Sequence, residues 1–192
     1  MLTRPRHPTV DTALELARIW CAGHVIDNAP ALGHAIRVVR TVDRHLPGAH
    51  PELVAAALLH DSPEFAPAGV NLDELLTVRL GPAVTRVVRA LEAEHAGLDT
   101  IPGGPSIPVD DPWVLYTSAA DKTIALSSML LRAAAAPDPA EFWAQRAAFR
   151  ALVPYFRAFH TAAVSHLPLS MAVEISPIVA RVELAISALD LQ

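Results

Sequence analysis

The run Pro51-Glu52-Leu53-Val54-Ala55-Ala56-Ala57-Leu58-Leu59 is almost wholly apolar and ends on His60-Asp61-Ser62-Pro63-Glu64. An apolar run of this length reads as a buried helix, and it constrains the fold because it terminates on two ionisable side chains. Burying imidazole and carboxylate together is costly unless a partner compensates them, and a metal ion is the usual partner. Adjacent side chains on a helix diverge by about 100°, so His60 and Asp61 converge only where the backbone leaves the helix. Pro63 predicts such an end, since it donates no hydrogen bond and disfavours helical geometry in the residue before it.

Around this run the remaining chain reads as helices punctuated by proline and glycine. A helix is expected over residues 9–23, with Thr12 and Glu15 as a capping box. A turn at Asp27-Asn28-Ala29-Pro30 leads to a second helix ending near Leu46, with Ile36, Val38, Val39 and Val42 inside and Arg37, Arg40 and Arg44 outside. Pro47-Gly48 stops it. His50 stands near the N-cap of the central helix, and a loop runs from Phe65 to Val70. Two helices are then expected over 72–80 and 82–96, followed by a surface loop at 97–112 that holds four prolines and three glycines and is a candidate neighbour of a site. Helix resumes from Asp111 to about Ala136, restarts at Asp138-Pro139, is interrupted or kinked around Pro154 and runs to about His166; a last helix begins near Ser170 and breaks or kinks at Pro177. No strand alternation of useful length is present. The expectation is an all-α fold, one domain over residues 1–192 with seven to nine helices, its core at about 12–160 and C-terminal helices at 138–190 packing on it.

Composition supports this and excludes several functions. Hydrophobic residues make up 52% and charged residues 18%, so a sizeable core can form. A formal net charge of −5 argues against a nucleic-acid binder. The single cysteine, Cys21, excludes an internal disulfide framework and suits a reducing compartment. The N-terminal Met1-Leu2-Thr3-Arg4-Pro5-Arg6-His7-Pro8 lacks an apolar signal core, and no uncharged apolar stretch reaches the roughly 18 residues of a membrane span. A cytoplasmic protein is expected.

A His-Asp doublet is weak evidence in a chain with nine histidines. Three further residues join it. His34 lies in the first turn of an otherwise apolar helix, where it is either a ligand or a hydrogen-bonded core histidine. Asp121 is a lone acid in the apolar run Thr117-Ser118-Ala119-Ala120-Asp121, where it is either a ligand or the partner of Lys122 or an arginine. Glu64 lies one turn past the doublet, either functional or solvated.

The order H…HD…D resembles the HD-domain metal-dependent phosphohydrolases. Ala57-Leu58-Leu59-His60-Asp61 is similar to the corresponding helix of RelA/SpoT-type alarmone hydrolase domains and their small relatives. Leu80-Gly81-Pro82-Ala83-Val84-Thr85-Arg86-Val87-Val88 resembles the helix that follows, and Val114–Leu126 resembles the helix carrying the last metal aspartate. Phe156-Arg157-Ala158-Phe159 resembles a C-terminal helix of small bacterial members. The likeness spans about residues 12–160.

The resemblance implies one divalent cation held by His34, His60, Asp61 and Asp121, with manganese first and iron, cobalt, nickel and zinc compatible. It implies hydrolysis of a nucleotide or nucleotide-like phosphate ester, with Asp61 and Glu64 as catalytic residues and Glu64 orienting or deprotonating the attacking water. Lys122, beside a ligand, and Arg37, one turn after His34, are candidate phosphate contacts; a solvated Lys122 is the alternative. The implied partner is a small phosphorylated substrate, with no nucleic acid and no membrane, and the C-terminal aromatics keep a homodimer in view. The chain departs from the family in three places. Val25–Pro30 lacks the basic residues found before the first metal histidine, Phe65 stands where an aspartate follows the glutamate, and Ala125 stands where an asparagine is usual. Alternative readings are therefore a (p)ppGpp-type 3'-pyrophosphohydrolase and a catalytically silent HD domain that binds a nucleotide or partner.

Overall fold

The computed structural model describes residues 7–26, 28–100 and 104–189. The expectations for Met1–Arg6, Asp27 and the Ile101–Gly103 part of the proline-rich loop lie outside the described residues. Two strands and a series of helices follow in the order α1 (Pro8–Trp20), β1 (Val25–Ile26), β2 (Ala29–Pro30), α2 (Ala31–His45), α3 (Pro51–Leu58), α4 (Ser62–Phe65), α5 (Leu72–Leu80), α6 (Pro82–Thr100), α7 (Pro112–Ala135), α8 (Pro139–Ala144), α9 (Ala147–Ala151), α10 (Val153–Ala163) and α11 (Leu169–Ser187). The protein is essentially all-α.

Five of the described helices begin at a proline and two more carry one at the second position, where its fixed φ and missing N–H suit the first turn. Four of these starts share one device, a polar residue just before the proline whose side chain caps the helix. His7 Nδ1 accepts from Thr9 N and His50 Nδ1 from Glu52 N, at 3.3 and 3.4 Å. Asp111 Oδ1 caps α7 and Asp138 Oδ1 caps α8. The His7 cap replaces the expected Thr12–Glu15 box and starts α1 one residue earlier. Asn71 caps α5, and Gly81 ends it at φ 103°, where a β-carbon would strike the Glu52 carboxylate.

The expected turn before α2 is a small antiparallel hairpin in which Val25 pairs with Pro30 and Ile26 with Ala29. Asn28 adopts φ 61°, the left-handed geometry such a tight turn demands. Helix α6 continues four residues beyond its expected end at residue 96. The long helix expected after Asp138, interrupted or kinked around Pro154, is divided into α8, α9 and α10: the break at Leu152 falls where the interruption was expected, and the one at Gln145–Arg146 is additional. Pro177, by contrast, stays within a continuous α11. These extra breaks raise the number of helical segments above seven to nine.

The chain clusters into two compact units divided between Ala93 and Glu94, within α6. In the first, α1 and α2 pack on α3, and α1 also meets α4 and α5. Ala55, Ala56 and Ala57 are fully buried, and their small side chains let neighbouring helices approach α3 closely. In the second, α7 packs on α11 and α10 on α11. Phe159, Met171 and Ile175 are buried there, and Trp143 packs with Met129 and Ala133. Among the described residues, no helix is long and apolar enough to cross a membrane.

Candidate metal centre

Helix α3 stops at Leu58, and Leu59 leaves helical geometry at φ −114°, ψ 13°. Asp61, at φ −92°, ψ 7°, sits in the sparsely allowed bridge region and forms the N-cap position of α4. The turn closes through Ser62 N donating to Leu59 O at 2.9 Å. The helix therefore ends earlier than Pro63 would impose, and Pro63 instead falls in the first turn of α4. This turn is what lets consecutive side chains converge. His60 Nε2 lies 3.1 Å from Asp61 Oδ2, where an unbroken helix would turn the two apart.

His34 arrives from the buried face of α2, which packs on α3. Its Nε2 is 3.3 Å from His60 Nε2 and 3.9 Å from Asp61 Oδ2. His34 is 3% exposed, His60 1% and Asp61 9%. His60 Nδ1 lies 3.0 Å from Ala57 O, and a carbonyl only accepts, so Nδ1 carries the proton. In neutral His60 the Nε2 lone pair then points toward a carboxylate oxygen and a second imidazole nitrogen. Two acceptors at 3.1 Å, buried, need positive charge between them, as a proton or a metal ion. Donor atoms about 2.1 Å from one cation stand about 3.0–3.4 Å apart in octahedral or tetrahedral coordination. The spacings of 3.1 and 3.3 Å fall in that range and the 3.9 Å one lies beyond it, and two imidazoles with a carboxylate are the donors expected of a first-row divalent metal.

Glu64 is exposed on α4, with a carboxylate oxygen within 4.8 Å of one of Asp61's. Arg37 follows His34 by one turn. It is half-buried, and among the described residues it makes no hydrogen bond or ion pair. Ile36, expected inside, turns outward instead and is 38% exposed.

The second unit contains Asp121, on α7, with its Oδ2 3.5 Å from His95 Nε2 of α6. Next to it, Lys122 is neither solvated nor available to a substrate. The 100° step along α7 turns it into the core, where it is 4% exposed. Its Nζ donates to Glu94 Oε1 at 2.8 Å and to Ser118 Oγ at 2.9 Å, and lies 4.6 Å from the centre of the Phe159 ring. Glu94 Oε1 also accepts from Ser118 Oγ at 2.9 Å and from Tyr155 Oη at 2.5 Å. Burial pushes the Glu94 carboxyl up, but the Lys122 charge and the three hydrogen bonds outweigh it, and the net shift is downward. Tyr155 is shifted upward by burial and then by the Glu94 charge beside it. Glu94 is therefore an anion and Tyr155 a neutral donor.

No family model matches this sequence, and no curated protein matches it. A solved structure does: a metazoan orthologue of SpoT that hydrolyses ppGpp and plays a role in starvation responses, with a TM-score of 0.63 and 16% identity over 93% of this chain and 97% of that one. This chain has the fold of that hydrolase.

The likeness is one of fold. Within it, His34, His60 and Asp61 form the buried group of the first unit, while Asp121 belongs to the second. One departure acquires a structural role. Phe65, where the alarmone hydrolases have aspartate, stacks on His24 with ring centroids 4.5 Å apart and planes inclined by 29°.

Three other side chains bear on these groups. Cys21 is half-buried at the end of α1, and burial followed by the Asp61 charge raises its thiol to about 11. His95 gave no signal, because its partner lies on another helix. Glu94 did leave one, since it continues the buried positions Val84, Val87 and Leu91 of α6 and is an acid where the period demands an apolar residue.

Proposed function

We propose that the protein is a metal-dependent phosphohydrolase acting on a nucleotide or nucleotide-like phosphate ester. The observation that carries this reading is the buried approach of His60 Nε2 and Asp61 Oδ2 beside His34, an arrangement that calls for a cation. The fold shared with a ppGpp hydrolase supports it. Asp121 is proposed as the fourth ligand, on the H…HD…D order of the sequence. Manganese is the proposed ion, because the mixed imidazole–carboxylate set suits it. A divalent cation held there supplies Lewis acidity toward water and positive charge toward a phosphoryl oxygen.

The chain's own groups divide the remaining work. The buried imidazoles stay in place because Ala57 O holds the His60 ring and fixes its tautomer. Glu64, exposed and close to Asp61, orients the attacking water and accepts its proton. Arg37, which has no carboxylate partner among the described residues, is the proposed phosphate contact. A positive side chain there offsets the −5 formal charge that an anionic substrate meets. We place the enzyme in a reducing, cytoplasmic setting, in keeping with the free thiol of Cys21.

A second reading, pyrophosphate removal from an alarmone, is favoured by the near-complete coverage of the ppGpp hydrolase. Phe65 and Ala125 weigh against it. The experiment is an orthophosphate- and pyrophosphate-release screen over a nucleotide panel including ppGpp, on manganese-loaded protein, with Glu64→Gln in parallel. Orthophosphate from one nucleotide class is expected, with turnover lowered about 100-fold or more by Glu64→Gln and bound metal retained. Pyrophosphate from ppGpp selects the second reading. Bound metal with no release of either kind would replace the enzyme by a binding domain.

A further inference from the structure

The turn of α7 that carries Asp121 is gripped at both ends by one carboxylate. Ser118 and Lys122, one turn apart on α7, both donate to Glu94 Oε1, and Tyr155 of α10 donates to the same oxygen. Glu94 Oε2 is buried with no hydrogen-bond partner among the described residues, so all of the restraint acts through a single atom. Asp121 lies between the two gripped positions in sequence. Since adjacent side chains differ by about 100° around the helix, turning Lys122 into the core dictates the direction in which Asp121 projects. His95, next to Glu94 on α6, approaches Asp121 at 3.5 Å, so consecutive residues of α6 meet consecutive residues of α7. The grip is dry, as Glu94 and Lys122 are each 4% exposed, and rotating α7 would unpair a buried charge.

We propose that Glu94 is a positioning residue, holding Asp121 in the orientation that metal binding requires. The inference rests on Asp121 being a metal ligand. Residues that orient a ligand alter metal affinity by about 10–100-fold when removed. Replacing the pair by apolar residues of similar volume keeps the core filled, and such replacements are commonly neutral or stabilising. The test is a manganese(II) titration, read from the paramagnetic resonance of free ion and with helicity checked for each protein. It compares wild type, Asp121→Asn, the double variant Glu94→Leu/Lys122→Met, and Glu94→Gln/Lys122→Met, which retains an amide acceptor for Ser118 and Tyr155.

Weakening of about 10–100-fold in a folded Glu94→Leu/Lys122→Met, partly recovered in Glu94→Gln/Lys122→Met, is the expected result. A folded Glu94→Leu/Lys122→Met with wild-type affinity, while Asp121→Asn binds weakly, overturns the positioning role and leaves the ligand assignment intact. Should Glu94→Leu/Lys122→Met fail to fold, Glu94→Gln/Lys122→Met decides: weakened binding supports the role and wild-type binding overturns it. Unchanged affinity in Asp121→Asn removes the ligand itself, and the inference with it.

Discussion

Lys122→Met removes one partner of a buried ion pair and leaves the other in place. The two charges lie 2.8 Å apart with 4% of each side chain exposed. At an effective dielectric of about 20 their attraction is about 6 kcal/mol, offset by several kcal/mol of desolvation for each ion. The intact pair therefore adds little net stability. Breaking it strands Glu94 with only the Ser118 and Tyr155 hydroxyls as donors, and the expected loss at pH 7 is about 3–5 kcal/mol. Glu94→Gln should cost a similar amount by stranding Lys122. Glu94→Gln/Lys122→Met should fall within about 1 kcal/mol of wild type, so the coupling energy is large.

Urea unfolding followed by circular dichroism measures all four proteins. The pH dependence gives an internal control. In wild type the Glu94 carboxyl is lowered below the ordinary carboxylate value of 4.5, so its contribution is present above that pH and is lost as pH falls through the lowered value. In Lys122→Met the largest lowering influence is gone while burial remains. Glu94 should then take up a proton at higher pH than in wild type, and the penalty of the variant should shrink as pH falls from 7 toward 5. Single-variant losses under about 1 kcal/mol that simply add in the double variant would refute the reasoning.

Two further outcomes follow from the geometry. With its thiol raised from 9.0 to about 11, Cys21 in the metal-free protein should react with iodoacetamide at pH 8 about 100-fold more slowly than an unshifted thiol; reaction at the unshifted rate would contradict its burial. Gly104→Ala should destabilise by about 1–3 kcal/mol, because φ is 86° and the added β-carbon would meet the Tyr155 ring; a thermal midpoint equal to wild type would show that the contact yields freely.

The helices were legible because apolar runs alternate with prolines that serve as helix starts. The end of α3 was legible for a different reason: an apolar run closing on His60-Asp61 has few physical solutions. What escaped depended on tertiary partners. Strands of two residues are too short to show alternation, so the hairpin before α2 read as a turn. Pro154 marked the break at Leu152, but Phe142 to Phe159 carry an apolar pattern through three helices, and nothing in that pattern marks the break at Gln145–Arg146. Lys122 was read from its neighbour Asp121, although the helical step sends the two in different directions. Its actual partner, Glu94, lies 28 residues earlier. His50, read near an N-cap, does cap α3, whereas the cap that His7 gives α1 was not read.

The central claim is that His34, His60 and Asp61 hold a divalent cation, and manganese binding by the purified, chelator-stripped protein tests it most directly. The account predicts about one ion per chain in wild type, with binding lost in His60→Ala and in Asp61→Asn while helicity is retained. A wild-type protein that binds no manganese, or a His60→Ala variant that binds it as tightly as wild type, would contradict the account.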